Sequence, residues 1–135
     1  MHVKTVVLTF DDAVSNHATF AAPLLKQYNF GATFYVCEFP PDFAGNKQQY
    51  MTWEQIRELD SIGFEIGNHT LTHAHVPKLS ETEFENELTL LEQRCAEYGI
   101  RHPETFAYPG CGVDDKAFPV LRRKGASSAV CAVKS

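Results

Sequence analysis

Positive charge is scarce in this chain: 12 Lys and Arg stand against 17 Asp and Glu, a formal charge of −5. A nucleic-acid partner requires a basic stripe to neutralise phosphates, so this balance argues against one. No Lys/Arg run and no basic amphipathic helix points to a membrane surface. The longest apolar run near the start, Val6, Val7 and Leu8, is too short for a membrane span or for the apolar core of an export signal. Two locations stay open, a cytoplasmic protein or an exported one whose leader lies outside this chain. The four cysteines, Cys37, Cys95, Cys111 and Cys131, include no Cys-x-x-Cys pair, which argues against a structural zinc ribbon. They also lack the dense spacing of a small disulfide scaffold, and reduced thiols are expected. No Gly-x-Gly-x-x-Gly follows the first apolar segment, which weakens a dinucleotide-binding reading. No serine or cysteine is spaced to a histidine base as a nucleophile would be.

What is present suits one soluble globular domain over residues 1–135, with 44% hydrophobic and 21% charged residues. Residues 5–10 (TVVLTF) are β-branched and apolar and predict a buried strand. Ser15 and Asn16 offer caps for a helix through about residue 28, with Ala18, Ala21, Leu24 and Leu25 as its apolar face and Pro23 as a kink or late start. Residues 32–36 predict a second strand, and 38–50, rich in Pro, Asp, Gly, Asn and Gln, a long exposed loop. Thr52 with Gln55 forms a capping box for a helix over 53–62, stopped by Gly63. A third strand follows at 64–67. Ser80 with Glu83 opens a long helix to about residue 98, with Phe84, Leu88, Leu91 and Cys95 on one face. A strand at 105–108, a helix at 116–124 and a strand at 128–133 complete the chain. This alternation predicts parallel strands covered by helices, as a barrel or an open α/β sheet.

Three polar clusters, at 11–12, 69–73 and 108–115, fall just after predicted strands, the rim where barrels place their chemistry. Asp11 and Asp12 would repel each other unless a cation or proton intervenes. Taken alone, they are more readily an Asx turn or helix cap after a strand. His69 and His73, four apart, can share a metal when the backbone curls between them, or can simply be two histidines in a polar loop. Taken together, Asp12, His69 and His73 supply one carboxylate and two imidazoles, a set that leaves coordination positions open. A divalent ion held this way activates water and polarises a carbonyl, and Asp11 is then free to take the proton. Such a constellation suits hydrolysis of an amide or an ester. Trp53, Tyr50 and Phe39 could stack on sugar rings, but Trp53 opens an amphipathic helix, and a core role for it is expected.

These residues resemble the polysaccharide deacetylases, the NodB-homology domain of carbohydrate esterase family four. Leu8-Thr9-Phe10-Asp11-Asp12 resembles that family's first motif, Thr-Phe-Asp-Asp. Asn68-His69-Thr70-Leu71-Thr72-His73 resembles its second, His-(Ser/Thr)-x-x-His, and Phe106-Ala107-Tyr108-Pro109-Gly110 a variant of its third. The resemblance implies an irregular (β/α) barrel, a divalent ion (Zn2+ first, with Co2+, Mn2+ or Ni2+ as alternatives) and removal of N- or O-acetyl groups from a carbohydrate polymer. It implies Asp11 as base and Asp12, His69 and His73 as ligands. It places the oxyanion and substrate contacts at Tyr108, Pro109 and Gly110, with a backbone N–H near Gly110 facing the oxyanion.

Four positions depart from the family pattern. Ala13 stands where glycine commonly follows the aspartates, Ala107 where an arginine often steadies the base, and Gly110 where an aromatic residue often lines the sugar site. The family's last motif, Leu-x-x-His, which supplies the general acid, occurs nowhere, and the last histidine is His102. The resemblance therefore covers the whole chain but only the first part of the family's domain, truncated after about five strand–helix units. An unclosed barrel exposes a strand edge and an apolar face, so self-association is expected. Hydrolysis of small-molecule non-peptide C–N bonds, and metal or glycan binding without turnover, are the alternative functions.

Overall fold

A computed structural model describes residues 3–131, in which five short strands alternate with four α-helices. The strands are β1 (Thr9–Asp11), β2 (Thr33–Val36), β3 (Glu65–Asn68), β4 (Thr105–Ala107) and β5 (Ser128–Val130). The helices are α1 (Ala22–Gln27), α2 (Trp53–Ser61), α3 (Glu81–Glu97) and α4 (Ala117–Arg123). All strand pairs are parallel, and the order is β1-β2-β3-β4-β5. A doubly wound sheet reverses its strand order at a switch point; this one never does, so it is the arc of a barrel.

Register separates the two faces. Phe10 pairs with Phe34, Phe34 with Ile66, and Asn68 with Phe106, all on the helix side. There Phe34, Ile66, Ile56, Leu59, Phe64, Leu91 and Cys95 share one core cluster, and Phe84, Leu88, Phe106, Val120 and Leu121 share a second. The opposite face is polar and close-set. The hydroxyls of Thr33 and Thr105 both donate to Glu65 Oε1, at 3.3 and 2.6 Å. Position 67, opposite Tyr35 on this face, is a glycine because a Cβ there would collide with the Tyr35 ring.

Both capping boxes form as the spacing predicts, Thr52 with Gln55 and Ser80 with Glu83. The predicted face of α3, Phe84, Leu88, Leu91 and Cys95, is buried throughout. The first strand is shorter than expected. It begins only at Thr9, and Val6 and Val7 are 81% and 75% exposed. Among the described residues nothing pairs with the outer edge of β1, so the preceding apolar residues have no surface to be buried against. The first helix also differs. A π-turn, His17–Ala21, runs into α1, with the Ala22 N–H bonded to the His17 carbonyl. Its extra residue shifts the buried face to Ala22 and Leu25 and leaves Leu24 exposed. Pro23 sits in the first turn of α1, where a missing N–H costs little. Neither Ser15 nor Asn16 caps this segment; the Ser15 hydroxyl instead donates to the Gln48 carbonyl at 2.6 Å. The last strand is observed over Ser128–Val130, and residues 132–133 of its expected span lie outside the described residues. No helix among the described residues is long and apolar enough to cross a membrane.

The expectation of four reduced thiols is corrected for one pair: Cys111 and Cys131 form a disulfide, with Cα atoms 5.0 Å apart. They are 20 residues apart in sequence, but each follows one of two adjacent parallel strands, β4 and β5, so the sheet delivers both to one rim. Sequence spacing does not display that proximity. Cys37 and Cys95 are free and buried. Burial, reinforced by Asp60 and Glu92, pushes the Cys95 thiol up to about 12. Burial, with Asp12, Asp11 and other carboxylates adding, raises Cys37 further. Thiolate is the reactive form, so the native chain is expected to show no fast-reacting thiol. Unfolding in guanidine without reductant should release the two free thiols, and prior reduction should reveal all four. Four thiols without reductant would show that the disulfide does not form.

Candidate metal centre

The site is built at the ends of β1, β3 and β4. His69 follows β3 directly and is buried. Its Nδ1 lies 2.7 Å from the Ala107 carbonyl oxygen at the end of β4. A carbonyl only accepts, so Nδ1–H is the donor and Nε2 is left for the site. That Nε2 lies 3.1 Å from Asp12 Oδ1, and His73 Nε2 faces the same oxygen at 3.2 Å. In the neutral tautomer fixed by Ala107, His69 therefore points a lone pair at a carboxylate. Two such electron-rich atoms stay this close only with a cation or proton between them. One donor atom from each of Asp12, His69 and His73 lies within 4.8 Å of the others. This set fits a divalent ion, and the Ala107 carbonyl is the outer partner that orients the His69 ring.

The backbone takes unusual shapes to make this set. Asp12 and Ala13 have φ of 77° and 53°, and Thr70 and His73 of 59° and 54°. For residues with a Cβ, left-handed backbone costs about 1–3 kcal/mol each and persists only where the surroundings enforce it. At position 13 it explains the glycine common in similar sequences, and alanine is the smallest substitute. The Ala13 carbonyl is held by the Met51 N–H at 2.8 Å, and Val14 bridges to Tyr50. In the histidine loop, Asn68 Oδ1 accepts the Thr70 N–H at 3.0 Å, and the Thr70 hydroxyl accepts the Ala74 N–H at 2.8 Å.

The two aspartates differ electrically. When protons rather than a metal ion fill that gap, hydrogen bonds from His69 and then His73 outweigh burial at Asp12 and hold its carboxyl well below the usual carboxylate range. Burial raises Asp11 instead; His69 opposes that rise, Asp12 adds to it, and His73 opposes it. One carboxylate is thus committed to the imidazoles, while its neighbour is a stronger base than an exposed aspartate.

The structure brings Asp12, His69 and His73 together, with Asp11 close enough to feel the charge of all three. It separates the three residues of the β4 rim. Tyr108 packs edge-on against Phe106 at 4.9 Å in the helix-side core, and its hydroxyl has no partner among the described residues. Pro109 is buried, and Gly110 is exposed in the 3-10 turn Pro109–Cys111 with φ of 59°. Trp53 is buried and stacked on Tyr98, and its indole N–H donates to Glu38, in keeping with a core role. Phe39, in the 38–50 loop, lies against the His73 ring with centroids 4.5 Å apart. Sequence reasoning missed the Asn68 side chain, which accepts the Thr70 N–H, and the Ala107 carbonyl, which fixes the His69 ring. Asn68 stands beside the motif, whereas no local signal marks a backbone carbonyl.

The family model for polysaccharide deacetylase matches residues 1–129. The peptidoglycan-N-acetylglucosamine deacetylase of Bacillus cereus is 28% identical over 123 residues, covering 90% of this chain and 54% of that protein. The chain thus spans about half the length of this curated relative. The family 4 carbohydrate esterase of Streptomyces lividans, solved with acetate, superposes with a TM-score of 0.76 at 23% identity, over 93% of this chain and 61% of that one. A family pseudoenzyme from Bacillus anthracis superposes at 0.79 with 19% identity, over 93% and 42%. At such identities these two structures establish the (β/α)-barrel fold, which an esterase and a pseudoenzyme of the family both have. With its leading motifs assembled at one rim and all but its last six residues matched by the family model, the chain belongs to the polysaccharide deacetylase family.

Proposed function

We propose that this chain carries the metal-binding half of a hydrolase that removes N- or O-acetyl groups from a carbohydrate polymer. The observation that carries this reading is the pair of imidazole Nε2 atoms aimed at one Asp12 oxygen, with the His69 tautomer fixed by the Ala107 carbonyl. Asp12, His69 and His73 would hold the ion. Two imidazoles and one carboxylate suit Zn2+ best, with Co2+, Mn2+ or Ni2+ as substitutes. When bound, the ion polarises the acetyl carbonyl and makes water more acidic. Asp11, beside the ligands but not one of them, would accept the proton of the attacking water. The Gly110 N–H, on the β4 rim, is the donor for the developing oxyanion.

A second reading, hydrolysis of small-molecule C–N bonds, draws on Gly110 and Ala107. Gly110 brings no aromatic ring to a bound sugar, and Ala107 brings no guanidinium to steady the base. Acetate release from N-acetylated chitooligosaccharides and acetyl-xylan should be measured beside ring opening of cyclic ureides to ureido acids, each with Zn2+ and with a chelator. Zinc-dependent acetate release is the expected result. Turnover of ureides alone would replace the first reading with the second. Bound zinc without turnover of anything would leave a binding protein.

A further inference from the structure

We propose that Glu87 is a positioning residue for the metal site, acting on His73 through Thr72; the inference rests on the reading of Asp12, His69 and His73 as metal ligands. Glu87 lies on α3, and both of its carboxylate oxygens are used on one residue. Oε2 accepts the Thr72 N–H at 3.0 Å, and Oε1 accepts the Thr72 hydroxyl at 2.7 Å. Thr72 directly precedes His73, whose left-handed φ of 54° must be enforced by its surroundings.

The other end of the loop is fixed from the same turn of α3. Asn68, immediately before His69, is buried and donates its side-chain amide to the Leu88 carbonyl at 3.1 Å. Leu88 is the residue after Glu87. One helical turn therefore sets the positions of both histidines, Asn68–Leu88 on the His69 side and Thr72–Glu87 on the His73 side. That helix is a firm base, with a capping box at Ser80 and Phe84, Leu88 and Leu91 buried along it. Both Glu87 oxygens are turned to Thr72, and the carboxylate stands outside the Asp12–His69–His73 group. Partners one step removed from a metal set the direction of its ligands, and their loss typically weakens binding about 10- to 100-fold.

Zn2+ affinity, measured by competition with a chromophoric chelator, should fall about 10- to 100-fold in Glu87→Ala. Glu87→Gln should recover most of the loss, since its amide oxygen accepts the Thr72 N–H and its NH2 donates to the Thr72 hydroxyl oxygen. Asn86→Ala, an exposed change on the same helix, should bind as the parent does. Melting of every variant in chelator separates loss of affinity from loss of fold. A folded Glu87→Ala with parental affinity, or a Glu87→Gln as impaired as Glu87→Ala, would overturn the proposal. If Glu87→Ala does not fold, Thr72→Val decides: it keeps the N–H contact and loses only the hydroxyl, so a smaller loss supports the clamp and parental affinity refutes it. A parent that binds no zinc removes the metal reading itself, an outcome distinct from a parent that binds zinc and a Glu87→Ala that binds it equally well.

Discussion

His69→Ala and Asp12→Ala are each expected to abolish stoichiometric Zn2+ binding and with it all metal-dependent hydrolysis. The parent should hold one equivalent after dialysis against trace zinc, and the variants none. His69 is the stricter test because it has two roles. Its Nε2 is one of three donors, and its Nδ1–H satisfies the buried Ala107 carbonyl. Loss of the ring leaves that acceptor unpaired, a cost of about 1–3 kcal/mol, so the variant should also melt lower in chelator. Asp12 behaves differently with pH. Its carboxyl is depressed in the metal-free fold by bonds from His69 and His73. A depressed carboxylate adds stability above its unfolded pKa, and that stability disappears as pH falls through the folded value. The chelator-treated parent should therefore lose melting temperature on acidification in excess of Asp12→Asn. A folded, zinc-free parent would show that the three donors do not assemble into a site, and the family relationship would then carry no metal chemistry in this chain.

The histidines and aspartates were legible because the chemistry rests on residue types at fixed spacing. Asp11 and Asp12 close one strand, and His69 and His73 follow another; strand–helix alternation alone places both clusters on one rim. The helices were legible for a similar reason, since the capping boxes at Thr52 and Ser80 and the apolar stripe of α3 are local patterns. What stayed hidden depends on neighbours distant in sequence. Val6 and Val7 have the composition of a buried strand, yet they are exposed, because among the described residues nothing pairs with the outer edge of β1. Cys111 and Cys131 meet because β4 and β5 are adjacent, which their spacing does not encode. Tyr108 lies within the third motif, but its ring turns to the helix side, leaving the backbone of Gly110 at the rim. The π-turn after Asn16 was also illegible, because Ala18, Ala21 and Leu25 fit an ordinary helical stripe equally well.

Asp11→Asn is expected to reduce turnover about 10²- to 10⁴-fold, the usual contribution of a positioned general base, while zinc stays bound. Asparagine keeps the shape of the side chain and removes only the ability to take a proton, so a retained metal separates base from ligand. The parent should also lose activity as pH falls through the titration of Asp11 in the zinc-loaded protein. The residual activity of Asp11→Asn should lack that acidic limb. Stability should move the opposite way from activity. A carboxyl whose pKa is raised by folding binds its proton more tightly in the native state, so ionising it at neutral pH works against the fold. Asparagine removes that opposition, and in chelator at neutral pH Asp11→Asn should melt at or above the parent. An active, zinc-loaded Asp11→Asn would assign the base to another residue. A variant that loses zinc in step with activity would make Asp11 a ligand, because a group that acts only as a base has no reason to release the metal when it is neutralised.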